Sequence, residues 1–196
     1  MADNTIAVNC PIPSFSANMT SEKEFRLSDF AGKNLVLYFY PKDNTPGCTT
    51  ESIAFRDAQA QFDAYNTVIV GISRDSLRSH EGFKKKLDLP FELISDPDEA
   101  LCQIFQVMKL KNMYGKQVRG IERSTFVIDA KGVLVKEWRG VKVANHVEEV
   151  LQFAGRHLAI WFDDDERTWA AKLEVTQLRQ HLYVLISDLV NRRQNP

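Results

Sequence analysis

Apolar positions along the first 155 or so residues fall into two alternating patterns. Leu35-Val-Leu-Tyr-Phe-Tyr40 is a short unbroken apolar run, the pattern of a strand covered on both faces. A turn follows at Pro41-Lys-Asp-Asn-Thr-Pro-Gly47. Then comes a stretch from about Cys48 to Tyr65 in which Ala54, Ala58, Phe62 and Tyr65 recur at helical spacing. Thr67-Val-Ile-Val-Gly-Ile72 predicts a second buried strand. Asp75 can cap a helix to about Leu87, with Leu77, His80 and Phe83 on one side. Phe91-Glu-Leu-Ile94 reads as a short strand, and Asp96-Pro97 opens a helix with the stripe Leu101, Ile104, Phe105 and Met108.

Beyond this the pattern changes to two strands, Ser124 to Ile128 and Gly132 to Trp138, flanking the turn sequence Asp129-Ala-Lys-Gly132. Asn145 caps a last helix to about His157. The resulting order, β-α-β-α-β-α-β-β-α, predicts an α/β sandwich built on a mixed sheet. From Arg156 to Asn195 there is neither Gly nor Pro, so the chain divides into a domain over 1–155 and a helical extension over 156–196. Asp163-Asp-Asp-Glu166 suits the start of that helix and Arg192-Arg193 its end. Ala171, Val175, Leu178, Leu182, Leu185 and Leu189 alternate in steps of four and three, a stripe that docks on its own domain or in a homodimer.

Composition narrows the function classes. Twenty-five basic and 26 acidic residues give a net charge of −1, with no global positive field to recruit nucleic acid or an anionic membrane. No apolar run approaches the ~20 residues that span a bilayer. The first residues, Met1-Ala-Asp-Asn-Thr-Ile6, have neither the basic nor the apolar region of a secretory signal. Three cysteines, Cys10, Cys48 and Cys102, are too few for a disulfide framework, and a reducing, cytoplasmic setting is expected. His80, His146, His157 and His181 have no metal-ligand spacing with the cysteines. No nucleotide-binding glycine motif occurs, so neither a metal nor a cofactor is indicated. Lys84-Lys-Lys86 reads as a solvated helix face.

One residue stands out chemically. Cys48 follows a buried strand by a short loop, and Pro46-Gly47 starts a helix at the cysteine itself. Ligands in α/β folds collect at the carboxyl ends of strands, where helix N-termini offer free N–H groups and partial positive charge. A thiol held there ionises more readily, and the thiolate is the reactive form. The competing reading is a small buried hydrophobe, and position alone leaves the two equal.

Tyr38-Phe-Tyr-Pro-Lys-Asp-Asn-Thr-Pro-Gly-Cys-Thr-Thr-Glu51 closely resembles the active-site segment of the peroxiredoxins, within them that of the Q subfamily. Pro41, Thr45 and Cys48 meet the pattern P-x-x-x-T-x-x-C. Met113-Tyr-Gly-Lys116 and Gly120-Ile-Glu-Arg-Ser-Thr-Phe-Val-Ile-Asp129 form a second matching block that places Arg123 on the active-site arginine. Phe55-Arg56-Asp57 and Ser95-Asp-Pro-Asp98 agree as well, so the likeness spans about residues 8 to 155.

The resemblance implies a thioredoxin-like fold and a thiol peroxidase acting on hydrogen peroxide or organic hydroperoxides. Cys48 is then the nucleophile that becomes a sulfenic acid. Thr45 places its hydroxyl beside the thiolate, the amides of Gly47 and Cys48 stabilise developing charge, and Arg123 holds peroxide oxygen and favours the thiolate. Pro41 shapes the pocket. Without the resemblance, Arg123 reads as a surface partner of Glu122, and Thr45 as a turn residue or helix cap.

The usual second cysteines are absent. Five residues after Cys48 stands Ile53, and the following helix carries Phe83-Lys-Lys-Lys86. Cys102 lies in an apolar stripe and reads as a core thiol. Cys10 is an unusual resolver at best, between subunits. A one-cysteine cycle served by an external thiol, thioredoxin or glutathione with glutaredoxin, is the expectation. A thioredoxin-type dithiol oxidoreductase is disfavoured because no cysteine lies three residues from Cys48. A redox sensor whose C-terminal helix meets a partner is the non-enzymatic alternative.

Overall fold

The computed structural model of the protein describes residues 6–113 and 116–158. The C-terminal apolar stripe and nearly all of the expected 156–196 extension lie outside the described residues, as do Tyr114 and Gly115.

A seven-stranded mixed sheet organises the described chain. Its strands are β1 (Ser16–Met19), β2 (Lys23–Arg26), β3 (Asn34–Phe39), β4 (Thr67–Ser73), β5 (Glu92–Ser95), β8 (Ser124–Ile128) and β9 (Leu134–Trp138), in the order β2-β1-β5-β4-β3-β8-β9. β3 pairs parallel to β4, and β4 to β5, whereas β8 runs antiparallel to β3 with Leu35 opposite Ile128 and Phe39 opposite Ser124. β6 (Met108–Met113) and β7 (Lys116–Ile121) make a separate two-stranded hairpin. The helices are α1 (Pro46–Asp57), α2 (Gln59–Ala64), α3 (Leu77–Leu87), α4 (Ala100–Ile104) and α5 (His146–His157).

The central strands are buried on both faces because alternate side chains enter two different cores. Val36, Tyr38, Ile69, Leu93 and Val127 pack with Phe55, Phe62, Phe83 and Val150 from α1, α2, α3 and α5. Leu35, Leu37, Phe39, Ile72, Phe126 and Ile128 pack with Leu101 and Phe105 from α4 and its end, and with Phe25 from β2. Burying aromatic and branched side chains of this kind contributes about 1.5–3 kcal/mol each relative to exposure. Gly71 sits mid-sheet because a Cβ there would lie 2.7 Å from both Tyr38 and Leu93.

The α/β class and mixed sheet are as read from the sequence. Several local expectations are corrected. The 48–65 stretch is two helices separated at Ala58. Ser76, not Asp75, caps α3, its hydroxyl accepting from the Ser79 amide, and Leu77 is 37% exposed rather than buried. Met108 starts β6 instead of extending the α4 stripe. That helix is stopped by Gln106 at φ 53°, with Val107 N–H bonded to Cys102 O and Gln106 N–H to Gln103 O, a Schellman end formed without glycine. Asn145 stands at the α5 N-cap position in a left-handed conformation, and its side chain makes no cap bond. Hairpins β1–β2 and β6–β7 escape the sequence reading because neither carries an apolar run; in β1 and β2 only Met19 and Phe25 are buried.

Candidate active site

β3 ends at Phe39, and after the Tyr40–Thr45 loop the chain enters α1 through Pro46, whose missing N–H costs nothing at a first helical position. Cys48 therefore stands in the first turn of α1. The N–H groups of Gly47 and Cys48 precede any intrahelical carbonyl that could accept from them, and Thr49 N–H makes the first such bond, to Thr45 O at 2.9 Å. Free amides and the helix dipole together favour negative charge at this point.

Arg123 reaches the same point from the sheet. It immediately precedes β8, and because β8 is antiparallel to β3 with Ser124 opposite Phe39, β8 begins where β3 ends. Its Nη2 donates to Cys48 Sγ at 3.3 Å, and its Nη1 pairs with Glu51, one turn after Cys48 on α1. The alternative pairing with Glu122 is not what the structure contains. Gly47 packs beside the guanidinium: a Cβ there would stand 3.4 Å from Nη2.

One cation thus faces two acids in a nearly water-free setting. Cys48 is 1% exposed and Glu51 is fully buried, with Oε1 unpartnered. Burial pushes the Glu51 carboxyl up from 4.5 to about 7, against the pull of Arg123. Burial also opposes the charge on Arg123, but Glu51 and Cys48 outweigh it and raise the arginine's pKa. Within reach of the Arg123 charge, His146 Nε2 lies 2.8 Å from Thr125 Oγ1 and its ring meets Trp138 edge-on. Burial, and then the Arg123 charge, lower its pKa to about 4, so it is neutral at pH 7.

Thr45 occupies the N-cap position, but its hydroxyl donates to Lys42 O at 2.9 Å rather than capping α1 or bonding the sulfur. Oriented this way, the oxygen keeps its acceptor lone pairs. Pro41, half-buried, opens the loop. The expected site residues Cys48, Arg123 and Gly47 are in mutual contact range, while Thr45 and Pro41 frame the loop beside them.

A guanidinium paired with Glu51 thus stands on a buried thiol at a helix N-terminus. The AhpC/TSA family profile matches residues 8–137. A peroxiredoxin Bcp of Bacillus subtilis is 49% identical over 148 residues, 76% of this chain and 94% of that one. The chain is a Q-type peroxiredoxin of the AhpC/TSA family. A Xanthomonas campestris peroxiredoxin Bcp is 54% identical over 127 residues, 65% of this chain and 79% of that one. Among solved structures, a Xanthomonas campestris peroxiredoxin Q superposes with TM-score 0.71 at 49% identity, covering 74% of this chain and 91% of that one. A Xylella fastidiosa PrxQ cysteine variant gives TM-score 0.74 at 42% identity, covering 78% and 97%. The protein is accordingly a thiol peroxidase.

The other cysteines of this peroxiredoxin are remote from the site. Cys102 is fully buried in the core on the opposite face of the sheet from Cys48. Burial and the neighbouring Asp96 carboxylate push its thiol well above the ordinary range. Cys10 is exposed, and its carbonyl accepts from Leu134, which pairs with Ile128, itself opposite Leu35 at the start of β3. A six-residue strand spans roughly 17 Å, so Cys10 and Cys48 lie at opposite ends of the sheet. A disulfide needs Cα atoms within about 7 Å.

Glu51, His146 and a buried cluster around Asp43 and His80 are the site features the sequence reading passed over. Glu51 was legible in principle, since i and i+3 share a helix face. Lys84 is also more than a solvated residue, since it is half-buried and pairs with Glu92. A cavity of about 300 Å³ lined by Pro11, Ile12, Leu35, Ile128 and Gly132 sits at the other end of the sheet from Cys48.

Proposed function

We propose that this peroxiredoxin reduces hydrogen peroxide and organic hydroperoxides by a one-cysteine cycle centred on Cys48. The observation that carries the reading is the Arg123 Nη2 to Cys48 Sγ contact of 3.3 Å at the first turn of α1. The Cys48 thiolate attacks one peroxide oxygen, the O–O bond breaks, and the other oxygen leaves as hydroxide or alkoxide that takes up a proton. Sulfur is oxidised by two electrons to the sulfenic acid. Arg123 and the amides of Gly47 and Cys48 stabilise charge as it moves along the O–O axis, and the Thr45 hydroxyl, its own proton on the Lys42 carbonyl, accepts a hydrogen bond from the entering peroxide. Pro41 limits water access. Organic hydroperoxides are included because a Xanthomonas campestris bacterioferritin comigratory protein, 48% identical, has alkyl peroxide reduction activity.

An external thiol then condenses with the sulfenic acid, releasing water and forming a mixed disulfide. A second thiol resolves that disulfide and restores Cys48. Thioredoxin, or glutathione with glutaredoxin, supplies these thiols in a reducing compartment such as the cytoplasm. The separation of Cys10 and Cys102 from Cys48 supports the one-cysteine form. The competing sensor reading predicts one stoichiometric oxidation without turnover.

Mass spectrometry after one equivalent of peroxide tests the cycle. A sulfenic-acid trap should label Cys48 stoichiometrically, with no disulfide to Cys10 or Cys102. An intramolecular disulfide would replace the one-cysteine form.

A further inference from the structure

The loop between β3 and α1 is held from outside by α3. Asp43, 5% exposed, is the centre of this attachment. Its Oδ1 accepts from Tyr40 Oη at 2.8 Å and its Oδ2 from Ser79 Oγ at 2.7 Å. His80 Nδ1 lies 2.9 and 3.1 Å from the two carboxylate oxygens. His80 Nε2 faces the carbonyl of Ile94 at 3.1 Å, and a carbonyl only accepts, so Nε2 carries a hydrogen. On the other side of the ring Nδ1 faces the Asp43 carboxylate and, at 3.3 Å, Tyr40 Oη. The His80 and Asp43 side chains are almost wholly buried, at 0% and 2% exposure.

Two further bonds complete the attachment. Asp43 N–H donates to Asp75 Oδ2 at 2.9 Å, and that oxygen also takes Ser73 Oγ at 2.7 Å. Asn44, in a left-handed conformation at φ 58°, accepts from Lys86 Nζ at 3.0 Å. These bonds run to α3 and the end of β4 and not to Cys48, Glu51 or Arg123. They fix instead the two residues between Lys42, whose carbonyl orients the Thr45 hydroxyl, and Thr45 itself, directly before Pro46 starts α1.

We propose that Asp43 and His80 are positioning residues of the peroxidase site, through which the docking of α3 sets the geometry of Thr45 and the Gly47 and Cys48 amides. The inference rests on the Cys48 reading above. A buried hydrogen-bonded polar cluster is a poor source of net stability, since an apolar replacement of equal shape often does as well. It is a good source of a single geometry, because breaking one member leaves the others unpaired. The loop has no side-chain cap and no regular backbone ladder to supply that rigidity itself.

The test uses the full-length protein with Asp43→Asn and, as a milder break certain to leave the core filled, Ser79→Ala. Three readouts are compared: hydrogen peroxide KM and kcat, the pH profile of Cys48 alkylation by iodoacetamide, and the thermal midpoint. Asp43→Asn should raise KM and lower kcat/KM by up to about 10²-fold, the scale of an ångström-sized misplacement. It should also move the alkylation profile to higher pH, and Ser79→Ala should do the same to a smaller extent. A lowered midpoint with unchanged KM and alkylation profile would mean a purely structural role and overturn the proposal. Should Asp43→Asn not fold, an unchanged profile in Ser79→Ala overturns it equally. Alkylation needs no peroxide, so it separates this proposal from the one beneath it: peroxide turnover persisting in Cys48→Ser would sink the Cys48 reading whatever the Asp43 variants do.

Discussion

Cys48 and Cys102 are both buried thiols, at 1% and 0% exposure, yet they meet opposite electrostatics. The first stands in the opening turn of α1 with a guanidinium 3.3 Å from its sulfur. The second lies under the Asp96 carboxylate, which also accepts from the Cys102 and Leu101 amides at 2.8 and 3.1 Å. Burial alone disfavours a thiolate in both places. What separates them is the sign of the nearest charge and whether the helix amides are free or already used. At α4 a side chain has taken the amides; at α1 the N-cap hydroxyl points to Lys42 and leaves them for an incoming ligand.

The sharpest way to break that comparison is to remove each sulfur in turn. Cys48→Ser should abolish peroxide consumption, whereas Cys102→Ser should retain it, at the cost of a small change in core packing. Steady-state turnover with a thiol reductant decides between them. Equal loss in both variants would show that the electrostatic contrast has no functional meaning.

Removing the charge tests the contrast one step further out. Arg123→Ala should lower kcat/KM for peroxide by about 10²–10³-fold, the range for losing one preorganised donor at a site of developing charge. Because Glu51 is then left buried without its cation, a fall in thermal stability is expected alongside. Arg123→Lys keeps the charge without the fork that reaches Glu51 and Cys48 together, and should recover stability better than rate. Equal recovery of both would mean that a point charge suffices.

Much of this architecture was legible in the residues. The apolar runs at 35–40 and 67–72 mark strands because both faces of the sheet are covered, and Pro46-Gly47 marks the helix start beneath Cys48. Arg123 was placed by resemblance, since no local pattern distinguishes it from a partner of Glu122; its role depends on the antiparallel pairing of β8 with β3, a non-local fact. Glu51 was hidden for a different reason. A glutamate on a helix is ordinarily solvated, and only the arrival of Arg123 from 72 residues away makes its burial tolerable. His80 reads as a helix-face histidine until Asp43, Tyr40 and the Ile94 carbonyl converge on it. The two hairpins were missed because none of their four strands carries an unbroken apolar run.

The smallest expected effect concerns how the site's two perturbed groups shape stability against pH. Glu51 ionises near 4.5 when unfolded and about 7 when folded. Its contribution to stability is fully present below 4.5 and is lost as pH rises through about 7. His146 runs from 6.5 down to about 4, so its contribution is present above 6.5 and lost as pH falls toward about 4. Between 4.5 and 6.5 the two slopes oppose each other, and the protein should show a weak dependence there. Glu51→Gln keeps an acceptor for Arg123 but removes the titration, leaving the His146 slope uncompensated. Leaving Arg123 without a carboxylate carries its own cost, but that cost is the same at every pH in this window, so slopes rather than absolute values carry the test. The variant should be more stable at pH 6.5 than at pH 4.5 by an amount on the order of 1–3 kcal/mol, at about 1.4 kcal/mol for each unit of displacement. Urea unfolding of both proteins at several pH values measures this directly. Parallel curves for the two would mean that Glu51 stays ionised throughout, tied to Arg123 as a permanent pair, and that the cation beside Cys48 is already neutralised by its neighbour before peroxide arrives.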